Sequence, residues 1–315
     1  MKIHRFFGAA AVFVAVLFLA VAAPVGALAQ SGGSVQVKTI MTAVPKHSEE
    51  ASTILPSDVK IKVNGHSTQV TNVTPLRGDR AELQLVVLID SGVLQSLGQQ
   101  MSDIADFVRA LPPTTEIAFA YMMNGRAVFE QPFTTNKNLA LRSLHLPGGT
   151  VGSSASPYFC ISQLAKHWPS HNLNARREVI AITDGIDPYE VQFDPEDPYV
   201  RTAVRDAIRN RVVVDAIYWH DMGMASRIGF LASGGQSLLG IVTEDTGGKF
   251  YYQGFGNPVA FHPYLRDLSK RLENQYELDF MVPAKAKPQI ASLRIKLVMP
   301  NMKTNAPQRV FVPGR

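Results

Sequence analysis

Two hydrophobic rhythms alternate along the chain. LQLVVLI, EIAFAYM, EVIAIT and VVVDAIYW are apolar at nearly every position, the pattern of strands buried on both faces. Between them, residues 93–111, 138–145, 155–168, 200–210, 237–246 and 258–274 repeat apolar side chains at helical spacing, while RAVFEQ and KFYYQ are shorter strand candidates. Continuous apolar strands separated by amphipathic helices predict a mostly parallel sheet with helices on both faces. Residues 83–274 therefore read as a doubly wound α/β domain. The flanks follow a period of two. VQVKTIMTAV and VKIKVNGHSTQVTNVTPL precede the domain, and QYELDFMV, ASLRIKLVM and RVFV follow it. Such alternation predicts antiparallel sheets with one solvated face, and Asn64-Gly65 marks a two-residue hairpin turn. Residues 30–82 and 275–315 are thus expected to pair with each other as one small β module.

The N-terminus carries a different message. Lys2, His4 and Arg5 precede an almost unbroken apolar run over residues 6–21, and Ala27-Leu28-Ala29 is a small-x-small cleavage signal. Residues 1–29 read as a signal peptide, so the protein is expected in the periplasm or outside the cell. Pro24 and Gly26 favour cleavage over a retained anchor, which is the one route to the membrane in this sequence. Export favours disulfides, yet Cys160 is the only cysteine, and Phe159, Leu164 and Trp168 around it predict a buried structural thiol. The net charge of +5 and pI near 9.3 invite a nucleic-acid reading. No basic run or basic and aromatic interleaving supports it, and no nucleic-acid partner is expected.

Ligands of open parallel sheets bind at the carboxyl ends of the strands. Asp90-Ser91-Gly92, Thr150 in LPGGTVG and Asp184 in ITDGID fall there. Two carboxylates and a hydroxyl suit a hard divalent cation such as Mg²⁺. The segments LVVLIDSG, PGGT, ITDG and TGGKFYY also stand in the order seen in von Willebrand factor type A domains. The chain resembles the secreted bacterial, acidobacteria-like proteins of that superfamily over roughly residues 55–312. That resemblance implies protein or surface binding through a metal-ion-dependent adhesion site built from a DxSxS motif, a threonine and a second aspartate. Asp90, Thr150 and Asp184 match the motif, but Gly92 and Leu94 stand where its serines belong, and Ser91 is displaced by one residue. The resemblance therefore implies a degenerate site. No cofactor is expected, with Mg²⁺ or another divalent cation at Asp90, Thr150 and Asp184 as the alternative.

The expected function is a secreted or periplasmic, non-enzymatic binding module. Its rim of Asp90, Ser91, Thr150, Asp184 and Asp187 would contact an as yet unidentified protein or envelope-surface ligand. Two alternatives stay open: a hydrolase using Asp90 or Asp184 as base beside Ser91 or Thr150, and a purely structural envelope protein. Asp90 as a helix cap and Asp184 as a turn residue are the plain structural roles of the same carboxylates. Beyond Asp184, the stretch DGIDPYEVQFDPEDPY contains Asp187, Glu190, Asp194, Glu196 and Asp197 and no cation. It reads as a solvated acidic loop whose Tyr189, Phe193 and Tyr199 suit partner contact. Catalytic signals are weak. His167 and His171 are separated by Pro169, GSSAS is no nucleophile elbow, GGK is no P-loop, and His220 alone among the histidines falls at a strand end. No catalytic residue is assigned.

Overall fold

A computed structural model describes residues 33–46, 53–92, 95–148, 156–172, 174–190, 192–220, 229–254 and 256–315. The N-terminal apolar segment, Leu94 and Thr150 lie outside the described residues. In chain order the elements are β1 (Ser34–Pro45), β2 (Val59–Val63), β3 (His66–Thr68), β4 (Val70–Pro75), β5 (Leu83–Asp90), α1 (Met101–Ala110), β6 (Glu116–Met123), β7 (Arg126–Phe129), α2 (Lys137–Leu141) and α3 (Pro157–Lys166). Then follow β8 (Arg176–Thr183), α4 (Pro198–Arg209), β9 (Val212–Tyr218), α5 (Gly229–Thr246), β10 (Phe250–Tyr251), α6 (His262–Leu272), β11 (Gln275–Pro283), β12 (Gln289–Leu297), β13 (Met302–Asn305) and β14 (Arg309–Val312).

The continuous apolar strands form a six-stranded sheet in the order β10-β9-β8-β5-β6-β7. All neighbours are parallel except β7, which returns antiparallel to β6 through Asn124-Gly125, both at positive φ as the tight hairpin requires. Strand parity sorts the side chains into two layers. Val86 and Leu88 of β5 face α3, α4 and α5 with Tyr158, Val204 and Leu239. Leu85, Val87 and Ile89 face the other way, against Ile104, Phe107, Leu265 and Leu268 of α1 and α6. Each fully buried aliphatic side chain contributes roughly 1.5–3 kcal/mol, so the run that predicted β5 also fixes it at the centre. The fold is the doubly wound α/β architecture expected from the alternation of strands and helices.

The alternating flanks build two further sheets of four strands, β13-β1-β11-β4 and β14-β12-β2-β3. β1 runs antiparallel to β11 from Ser34↔Pro283 to Thr42↔Gln275, and β2 pairs with β12. Met41, Ile61, Leu278, Phe280 and Val312 fill the core associated with these sheets. β13 has no apolar alternation to announce it; its pairing with β1 makes it a strand.

Several helix boundaries depart from the sequence pattern. Residues 95–100 wind as a 3₁₀ helix, and the α-helix begins only at Met101. Leu97 and Gln100 are both buried, and a three-residue spacing is the one a 3₁₀ turn superposes on one side. The helix expected at 138–145 ends with α2 at Leu141, and that expected at 258–274 is confined to α6. Conversely, α5 starts at Gly229, well before residue 237. The added turns contain Gly234-Gly235, and Gly235 serves packing: a Cβ there would lie 2.5 Å from the carbonyl oxygen of Asp184.

A polar chain links the sheet to the flank. The Arg176 guanidinium donates to the carbonyl of Leu272 at 2.8 Å and to the Gln275 side chain, and the Gln275 amide donates to Glu178. Glu178 and Asp215 are 1% exposed and sit on the adjacent strands β8 and β9. Burial, then the neighbouring Asp215, pushes the Glu178 carboxyl up to about 8. The two groups share a hydrogen bond, and Asp215 also accepts from the Lys249 amide at 2.7 Å.

Candidate functional site

The strand order reverses between β5 and β8, so their carboxyl ends flank the crevice where doubly wound sheets place ligands. β5 delivers Asp90 to that point, 7% exposed. Its Oδ1 accepts the Gly92 amide at 2.9 Å and its Oδ2 accepts the Thr183 hydroxyl at 2.7 Å. Thr183 also accepts the Gly185 amide at 3.2 Å, and Asp184 Oδ1 accepts the Ile186 amide at 2.9 Å. Gly185 is required in this turn. Its φ is +70°, and a Cβ would lie 2.7 Å from the Gly235 carbonyl oxygen. Ser91 is buried, and its hydroxyl has no hydrogen-bond partner among the described residues.

Asp187 is 2% exposed and fixed on two sides: Oδ2 accepts the Ser156 hydroxyl at 2.6 Å, and Oδ1 accepts the Tyr189 amide at 2.8 Å. Burial holds its carboxyl above the ordinary range against these hydrogen bonds. Ser156 also caps α3 through the Tyr158 amide, while the Tyr158 hydroxyl donates to the Gly185 carbonyl at 2.7 Å. The reading of 187–197 as a wholly solvated acidic loop is thereby corrected. Asp187 and Asp197 are buried, and turn and cap amides take up Oδ1 of each, while Oδ2 of Asp197 has no hydrogen-bond partner among the described residues. Asp197 Oδ1 accepts from Tyr199 and Val200 at 2.7 and 3.0 Å at the start of α4, directly before Pro198. Asp followed by Pro is a helix-start signal visible in the sequence. Asp197→Ala is expected to cost about 1–2 kcal/mol, measured as a lower urea midpoint at unchanged slope.

The outer part of the loop is apolar and exposed. Tyr189 and Phe193 are 59% and 51% exposed, and Phe230 in the first turn of α5 is 64% exposed. Phe159 and Tyr199 brace Tyr189 from beneath, with ring centroids 5.3 and 6.2 Å from it. At the end of β9, the His220 ring nitrogen lies 3.1 Å from the Tyr218 hydroxyl. Burial, with the Asp184 charge adding to it, pushes Tyr218 up to about 12. The described contacts hold no histidine paired with a serine or threonine hydroxyl. Cys160, fully buried on α3, has its thiol pushed up to about 12 by burial and then by the Asp90 charge, consistent with an inert structural thiol.

Of the residues read from sequence, Asp90, Ser91, Asp184 and Asp187 stand on this rim; Thr150 lies outside the described residues. Nothing local in the sequence marks Thr183 as the partner of Asp90. The β5 and β8 register, ending at Ile89↔Ile182, brings it level with Asp90, and only that pairing reveals it. No group of three or more His, Cys, Asp or Glu among the described residues is placed to hold a metal ion. Gly92 faces Asp90 with an amide donor and brings no side-chain oxygen to it.

No family model and no curated protein matches the chain. Solved structures do. An aerotolerance-related membrane protein from Bacteroides fragilis is similar at 12% identity and TM-score 0.43, over 60% of this chain and 98% of that one. BatB from Bacteroides thetaiotaomicron is similar at 14% identity and TM-score 0.41, over 60% and 97%. The pilus adhesin SpaC from Lactobacillus rhamnosus GG is similar at 9% identity and TM-score 0.46, over 79% of this chain and 47% of that one.

Proposed function

We propose that the protein is an exported, non-enzymatic binding module of the von Willebrand factor type A kind, gripping a protein or envelope-surface ligand with its strand-end rim. The observation that carries this reading is the exposure of Tyr189, Phe193 and Phe230 beside a rim whose carboxylates are already committed to turns and caps. Aromatic side chains on a braced backbone are the usual anchors of protein interfaces. Export rests on the N-terminal segment; no helix among the described residues is long and apolar enough to cross a membrane.

The test is capture of a ligand from the envelope fraction of the source cells by the mature chain. Replacing Tyr189, Phe193 and Phe230 together by Ala is expected to lower recovery about tenfold or more. Unchanged recovery sinks the rim as interface. The degenerate adhesion motif makes a second prediction. Mg²⁺ or Mn²⁺ leaves the melting temperature unchanged, whereas Gly92→Ser with Leu94→Ser introduces a metal-dependent rise. A rise of about 2–4 °C in the unmodified protein, the equivalent of 1 kcal/mol, would restore the cation to the site.

A further inference from the structure

At the end of the sheet opposite the rim, β1 and β14 meet the first residues of β8 and β9 around a cavity of about 300 Å³. Ile40, Ile208, Val310 and Phe311 give it apolar walls. Six of its lining side chains are Lys or Arg, and one, Glu277, is a carboxylate. Glu277 is engaged by Lys38 at 2.7 Å and, more loosely, by Arg211 at 3.9 Å, and Arg309 is held by Asp245 at 2.9 Å. Arg177 has no carboxylate partner among the described residues. It is 9% exposed, lies over the Trp168 ring, and makes only long hydrogen bonds to the carbonyls of Asn210 and Ser170 at 3.5 and 3.4 Å. Burial, then the charge of Arg211, pushes its pKa down. A guanidinium buried against carbonyls and another cation is costly unless an anion joins it.

The backbone supplies an independent sign. Arg211 has φ +56°, directly after the last residues of α4, where glycine is the default because a side chain is strained there. A cation kept at a strained position beside the cavity points to use. The partial negative charge at the end of α4 accounts for Arg209 and Arg211 lying nearby, but not for Arg177, which comes from β8.

We infer that this cavity binds a small organic oxyanion, a carboxylate or phosphate ester on a short apolar body, with Arg177, Arg209 and Arg211 recognising the charge and the Phe311 wall the body. Guanidinium groups fit such oxygens in pairs, and the volume is that of a small-molecule site. The cations come from distant positions, which is why no basic run announces them.

Calorimetric titration of the mature chain with phenyl phosphate, phenylacetate and inorganic phosphate at matched ionic strength tests the assignment. At least one phenyl compound is expected to bind one to one with Kd below about 1 mM, and inorganic phosphate at least about tenfold more weakly. The better phenyl compound identifies the head group as phosphate or carboxylate. Arg177→Gln and Arg209→Ala are each expected to weaken binding about tenfold or more. Arg209 is exposed on the last turn of α4, so its variant decides the matter if Arg177→Gln fails to fold. Absence of binding by both phenyl compounds, phosphate binding as tightly as phenyl phosphate, or wild-type affinity in Arg209→Ala overturns the inference.

Discussion

Raising the pH from about 4.5 to about 8 is expected to cost the protein on the order of 4 kcal/mol of stability through the buried Glu178 and Asp215 pair. The unfolded chain releases the Glu178 proton near 4.5, whereas the folded protein keeps it until about 8, because burial and the adjacent Asp215 disfavour a second negative charge. Across that window the native state binds more protons than the unfolded state, so stability falls as pH rises and levels off above it. Below the window the favourable contribution is fully present. Burial pushes Asp206 and Asp267 up, but the hydrogen bonds of Ser162 with Lys166 and of Lys249 with Tyr251 outweigh it and hold both below the ordinary range. These two act in the opposite sense and lose their contribution only as pH falls through the acid range.

Glu178→Gln isolates the pair. The amide can donate to Asp215 and accept from Gln275, as the protonated acid does, but it has no proton to lose. Urea denaturation at a series of pH values is expected to give a variant that is the more stable protein at pH 9 and whose profile lacks the wild-type decline. Parallel profiles for the two proteins would refute the assignment.

Gly248→Ala is expected to destabilise the fold by about 3 kcal/mol, with Gly240→Ala changing stability in the other direction by up to about 1 kcal/mol. A Cβ on Gly248 would lie 2.0 Å from the Val214 carbonyl oxygen and 2.5 Å from its carbon, in the middle of β9. Neither atom can retreat without breaking the pairing of β9 with β8 and β10. Gly240 lies inside α5, and a Cβ there meets nothing within 4 Å, so alanine removes only the conformational freedom that glycine gives the unfolded chain. Equal urea midpoints for the two variants would show that the close approach of the Gly247-Gly248 turn to β9 is unimportant. The same contact gives TGGKFYY its physical meaning: the second glycine lets the chain cross the backbone of β9 before β10 begins.

Much of this architecture could be read from the chain itself. β5 and β8 are legible because each carries an unbroken central apolar run, which a strand covered on both faces removes from water. Asn64-Gly65 is legible because two successive residues at positive φ demand that pair of side chains. Helix ends were less so. The glycine pair in α5 concealed two turns of helix, since nothing local distinguishes a glycine that breaks a helix from one that lets it approach another backbone.

The rim divides in the same way. Asp90 and Asp184 are marked by strand ends and turn chemistry, which are local, and the sequence alone determined that Gly92 and Leu94 offer no side-chain hydroxyl after Asp90. Thr183 as the partner of Asp90, Asp187 as a buried acid, the pairing of the buried carboxyls Glu178 and Asp215, and the gathering of Lys38, Arg177, Arg209 and Arg211 around one cavity depend on which distant segments adjoin. Period and composition report how each segment meets water. Strand order and register, set by the packing of the whole, decide which polar groups meet each other.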